Sequence, residues 1–194
     1  MRYEWAARPM RLLDELRSLA RPSGPSPAPH LRVGDPAPVL RDEPPAGPAV
    51  VVFLRHVGCP FAELTVQQLR RVTEEQPSIA WWLVSMGSIA ATEAWLAEVG
   101  RPRGIELLSD PSLATHARWG LGADSVRHFL RPRTLLGALA AWRDGARNRD
   151  PEGSRWQQAG AFAIDEGGRL AWVHHPRSAE DLPDLRAAAA AVRS

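Results

Sequence analysis

Apolar positions along the chain fall into short blocks of two alternating kinds. Ala49 to Leu54 (AVVVFL) and Ile79 to Val84 (IAWWLV) are continuous apolar runs, the pattern of strands buried on both faces of a mostly parallel sheet, and Ile105 to Leu108 (IELL) predicts a third strand. Between them the apolar positions recur at helical spacing. Pro60 opens a stretch to about Glu74 with Phe61, Leu64, Leu69 and Val72 inward, and Ile89 to Val99 is a second, ended by Gly100 and Pro102. Ser112 to Trp119 predicts a third, short helix. Gly160 to Ile164 and Arg169 to His174 flank DEGG, whose Gly-Gly suits a hairpin turn. Ser178 to Val192 predicts a closing Ala-rich helix, with Pro183 in its first turns or interrupting it.

This order predicts an α/β sandwich in which the hairpin adds antiparallel strands to the parallel part. The run at 50 to 54 belongs inside the sheet, with helices on both faces. The remaining segments are less regular. Pro9 to Ala20 predicts an amphipathic helix with Leu12, Leu13, Leu16 and Leu19 on one face, docked on the domain or on a partner subunit. Residues 21 to 30 (RPSGPSPAPH) read as a Pro/Ser linker. The Pro-rich stretch that follows supports at most an edge strand at Val39 and Leu40. Residues 134 to 142 (TLLGALAAW) suit a helix inside an insertion. Residues 1 to 30 are therefore an N-terminal helical arm and linker, and 31 to 194 one compact domain.

Composition narrows the function. The 194 residues are 44% hydrophobic and 24% charged, a globular balance. No apolar run approaches the ~18 residues of a bilayer span, so no membrane partner is expected. The N-terminal stretch carries Arg and acidic residues through its apolar positions, unlike a secretory signal. The expected compartment is the cytoplasm. All 24 basic residues are Arg, the net charge is only +2, and the densest cluster, Arg127 to Arg133, is short. Nucleic acid is not an expected partner.

Eight Trp are present. Trp81 and Trp82 are adjacent on a predicted strand, so one faces each side; core and interface packing accounts for the rest, and an aromatic pocket for a bulky organic ligand is the sharper alternative. His174 and His175 point to opposite faces of a strand, would not chelate as a pair, and read as surface residues. Asp181 and Asp184 suit the start of the last helix.

One cysteine, Cys59, excludes an internal disulfide and a multi-cysteine zinc site. A lone cysteine is usually a small buried hydrophobe. Cys59 stands differently, between the first buried strand and a Pro-opened helix, where open α/β sheets place their sites. A thiol in that first turn, near the surface, feels the positive end of the helix and its free N–H groups, which favour thiolate. Arg55 and His56 add positive charge if the turn brings them near.

These residues resemble the peroxiredoxin-like proteins of the alkyl-hydroperoxide-reductase/thiol-specific-antioxidant superfamily. LRVGDPAPVL is similar to its opening V-G-x-x-A-P segment, and VVFLRHVGCPFAEL to its strand, cysteine loop and helix. LLSDPSLATHARWGL is similar to its S-D-P segment, and QQAGAFAIDEGGRLAWVHHPRSAEDLPDL to its hairpin and closing acidic segment. The similarity covers about Leu31 to Val192.

It implies a thioredoxin-like three-layer sandwich with a mixed central sheet, and a redox thiol that needs no cofactor and no metal. The chain departs from the pattern at three positions. The second cysteine of the frequent Cys-x-x-Cys pair would be Ala62. The Thr or Ser three residues before the cysteine is His56. The usual Arg before the hairpin falls at Ala159, leaving Arg55, Arg118 or Arg155 as substitutes. The resemblance implies reduction of a small-molecule peroxide through Cys59, supported by Arg55 and His56. An external thiol reductant would regenerate it, and a homodimer is expected. The alternative is a redox-inactive binding or accessory protein, or a specialised-pathway enzyme, using the same pocket for an organic ligand.

Overall fold

The run at Ala49–Phe53 forms the strand β1, and all five of its residues are buried. The computed structural model describes residues 24–123, 154 and 156–192. The predicted helices at Pro9 to Ala20 and 134–142, the Arg127 to Arg133 cluster and Arg155 lie outside the described residues. After β1 come α1 (Pro60–Glu75), β2 (Ala80–Ser85), α2 (Ile89–Val99), β3 (Ile105–Ser109) and α3 (Ala114–Arg118). The chain continues with β4 (Gly160–Ile164), β5 (Leu170–His174) and α4 (Leu185–Ala191).

The strands form one sheet in the order β3-β2-β1-β4-β5. β1 pairs parallel with β2 and β2 with β3, while β4 runs antiparallel to both β1 and β5. The sheet is mixed, and β1 lies at its centre, as its doubly apolar pattern requires.

Alternation along β1 divides the core. Val50, Val52 and Leu54 meet Leu69 of α1, Leu96 of α2 and Leu185 of α4. Ala49, Val51 and Phe53 meet Trp119, Leu121 and Phe162 on the other face. That face also carries α3, whose His116 ring stands edge-on to Phe53 at 5.1 Å. α1 and α2 share a face because both crossovers step the same way across the sheet. Trp81 joins the first core and Trp82 packs against the second, one to each side as expected. Arg41 stacks over Trp82 at 5.0 Å.

Several boundaries differ from the sequence reading. The closing helix begins at Leu185, not Ser178, because Pro183 removes a donor and turns Leu182 away from helical geometry. Asp184 is its N-cap, accepting from Arg186 N at 3.1 Å and Ala187 N at 3.0 Å. Asp181 does not cap it; its carboxylate accepts from Arg177 N at 2.8 Å. The third helix shrinks to Ala114–Arg118, since Leu113 sits at φ 60° and cannot continue it backward. Val39 and Leu40 form no strand; instead Pro36 bridges Arg169 beside β5.

Residues 24–30 do not hang free. Ala28 N donates to Ala117 O at 2.8 Å, and Gly122 has no side chain because a Cβ there would lie 2.9 Å from Pro27 Cγ. His174 and His175 leave β5 on opposite sides, and both are half-buried rather than fully exposed. His174 stacks on Trp172 at 5.9 Å and donates to Asp181 O at 3.1 Å. His175 stacks on His30 at 4.3 Å and donates to Leu31 O at 3.3 Å. The docked segments cover them.

Candidate active site around Cys59

β1 ends at the core, and the chain turns at once. Cys59 N donates back to His56 O at 3.3 Å, closing a tight turn through Gly58. Gly58 takes φ +84°, a conformation that glycine adopts without a steric penalty. The turn sets the side chains of His56 and Cys59 on one site. Cys59 is the N-cap of α1: its backbone is extended, its carbonyl accepts from Glu63 N at 3.0 Å, and Pro60 follows at the first helical position.

Cys59 is buried, only 4% exposed, which corrects the expectation of a thiol near the surface. Phe61, Ala62 and Val57 belong to the same packed cluster and cover it. Arg55 and His56 are buried too, at 4% and 6% exposure. Their place beside the sulfur favours its ionised form.

Burial is the largest influence on the thiol and pushes its pKa up. It is outweighed by the hydrogen bond from His56, then by the charges of His56 and Arg55, and last by the Ala62 N–H. Together these bring it from 9.0 down to about 6. His56 Nδ1 lies 3.0 Å from Val57 O. A carbonyl only accepts, so Nδ1 carries hydrogen there and Nε2 is left for the sulfur.

The structure thus brings Cys59, His56 and Arg55 together. Of the other candidate cations, Arg118 is turned away, donating to Val39 O at 3.3 Å on an exposed surface. Ala62 and Ala159 line one narrow cleft with Arg55, Phe61, Thr65 and Leu182. Its free space of about 10 Å³ admits one water-sized molecule. No described Trp lines it; Trp81, Trp95 and Trp119 belong to the two cores instead. Among the described residues no group of three or more His, Cys, Asp or Glu side chains is placed to hold a metal ion.

The S-D-P segment plays a structural part that sequence reasoning missed. Asp110 accepts from His116 N at 2.9 Å and sits 2.8 Å from His116 Nδ1, both groups buried. Burial raises the Asp110 pKa, but His116 and Ser112 hold it below the ordinary carboxylate value. The pair pins α3 to the end of β3. The sequence signal was an acidic residue and a proline, Asp110 and Pro111, just before the predicted third helix.

Residues 63–178 match the model of the AhpC/TSA antioxidant enzyme family. The chain belongs to that family. The matched span begins at Glu63, four residues beyond Cys59, so the family is read from the scaffold and the cysteine loop from its own geometry. A peroxiredoxin-like protein from Aquifex aeolicus shares the fold at TM-score 0.57 and 16% identity, covering 86% of this chain and 88% of that one. A thiol peroxidase from Chromobacterium violaceum is similar at TM-score 0.56 and 18% identity, over 84% and 87% of the two chains. A yeast mitochondrial 1-Cys peroxiredoxin, described with glutathione and thioredoxin systems, is similar at TM-score 0.54 and 11% identity, over 82% and 74%. These likenesses are of fold. No curated protein matches the chain. No described helix is long and apolar enough to cross a membrane.

Proposed function

We propose that the chain is a single-cysteine thiol peroxidase of the peroxiredoxin kind. The observation that carries this reading is a buried thiol whose pKa lies near 6 against the pull of its own burial. A structural cysteine in an apolar setting shifts the other way.

The chemistry follows from the three side chains. Cys59 thiolate attacks one oxygen of a hydroperoxide; the S–O bond forms as the O–O bond breaks. The departing alkoxide or hydroxide takes a proton from the His56 imidazolium, and Arg55 offsets the negative charge on the oxygens in transit. The products are Cys59 sulfenic acid and an alcohol or water. One external thiol condenses with the sulfenic acid, releasing water and leaving a mixed disulfide. A second thiol displaces Cys59 from it. With Ala62 in place of a second cysteine, both thiols come from outside. The cytoplasm, with its thiol pool, suits this cycle.

The experiment is peroxide consumption with an added dithiol, together with trapping of the sulfenic acid by mass spectrometry. Wild-type protein consumes peroxide and Cys59→Ser does not. The burial of Cys59 favours a second reading, a redox-inactive accessory or binding protein on the same scaffold. No consumption and no sulfenic adduct would establish that reading instead.

A further inference from the structure

The Cys59–His56 pair rests on a loop from another part of the chain. Between β2 and α2, Gly87 is held on both sides by hydroxyls. Its N–H donates to Ser85 Oγ at 3.1 Å, and its carbonyl accepts from Ser109 Oγ of β3 at 2.8 Å. Ser85 Oγ in turn lies 2.9 Å from Thr92 Oγ1 of α2. Ser85 and Thr92 are wholly buried. The loop is therefore fixed to three elements and does not yield easily.

Val57 lies directly on it. A Cβ at position 87 would come within 2.9 Å of Val57 Cγ2 and 3.1 Å of Thr92 Oγ1. Gly87 has no positive φ, so glycine is needed here for space and not for backbone conformation. Val57 is stiff at χ1 and buried, so it can escape only by moving its backbone. That backbone carries the carbonyl to which His56 Nδ1 is bonded.

We propose that Gly87 is a positioning residue for the Cys59–His56 pair: the missing side chain at 87 lets Val57 sit where its carbonyl aims His56 at the sulfur. The inference rests on the reading of Cys59 and His56 as the reactive pair. Through it, the β2–α2 loop and β3 act on the thiol by way of Val57.

The test is a pH titration of thiolate absorbance on the full chain, with circular dichroism to show folding. In Gly87→Ala the thiol pKa rises by about one unit, a tenfold loss of thiolate below the transition. Adding Val57→Ala, which keeps the carbonyl and removes the clashing methyl groups, returns most of the shift. A folded Gly87→Ala that titrates like wild type overturns the proposal, as does a shift that Val57→Ala leaves in place. Should Gly87→Ala fail to fold, Ser109→Ala, which frees the Gly87 carbonyl, decides: a raised pKa supports the proposal and an unchanged one overturns it. A wild-type thiol that titrates at the ordinary value removes the reactive pair and this inference together. An acidic wild-type thiol that the variants leave unmoved removes only the inference.

Discussion

At Cys59, one influence that raises the thiol pKa meets four that lower it. Burial alone would make it an inert thiol, and His56 and Arg55 reverse that tendency. His56→Ala takes away the largest influence that lowers the thiol pKa while leaving burial in force. A hydrogen bond to a charged group contributes roughly 1.5–3 kcal/mol, so the pKa of Cys59 rises by about one to two units. The pH profile of alkylation by a small reagent reads this directly. In wild type the rate climbs through about pH 6, and in the variant the climb moves toward alkaline pH. An unmoved profile would mean that His56 does not act on the sulfur.

Helix ends in this chain are set by single side chains. α1 starts where Cys59 turns extended and Pro60 fixes the first helical φ. α2 starts at Ser88, whose hydroxyl accepts from Ala91 N at 3.2 Å. α4 is short, and Asp184 satisfies two of its open N–H groups. Asp184→Ala is expected to cost about 1 kcal/mol, seen as a lower denaturant midpoint at unchanged slope, because the capping carboxylate is exposed and leaves no cavity behind. Leu185, Ala188 and Ala189 pack against α1 and β4 under this cap, so a frayed α4 loosens the face on which Cys59 stands.

Across the whole molecule, residues 24–31 are held to the sheet partly by uncharged histidine. His175 is stacked on His30 and stands edge-on to Phe162. Burial holds its pKa below the ordinary value; neighbouring His30 and His174 push the same way, and the Leu31 carbonyl opposes them. The unfolded chain therefore takes up this proton first. Its contribution to stability is complete above the ordinary histidine value of about 6.5 and is lost as pH falls through the lowered folded value. Acidification from about pH 7 to about pH 5 should lower the exchange protection of Ala28 N, bonded to Ala117 O, relative to that of the β1 amides, once the intrinsic slowing of amide exchange in acid is divided out. His175→Gln keeps a donor for the Leu31 carbonyl and should flatten that dependence. Equal dependence in the variant would assign the acid effect to another group.

Local pattern determined a good deal of this protein. Continuous apolar runs marked β1 and β2 as inner strands, because a strand between two helical layers has no polar side to show, whereas β3 lies at the sheet edge with Glu106 exposed. Pro60 marked the start of α1, Gly-Gly marked the hairpin, and a single cysteine in that loop marked the site and ruled out an internal resolving thiol. Tertiary structure decided the rest. The start of the last helix depended on whether Pro183 lay inside or before it, and the packing of 24–30 on a contact with Ala117 nearly ninety positions away in the chain. Whether Cys59 is acidic depended on a balance between burial and two cations, and periodicity records which face of an element is apolar, not how much water reaches one sulfur. Gly87 had no local signal at all: what it must leave empty is occupied by Val57, thirty residues earlier, and only folding puts the two side by side.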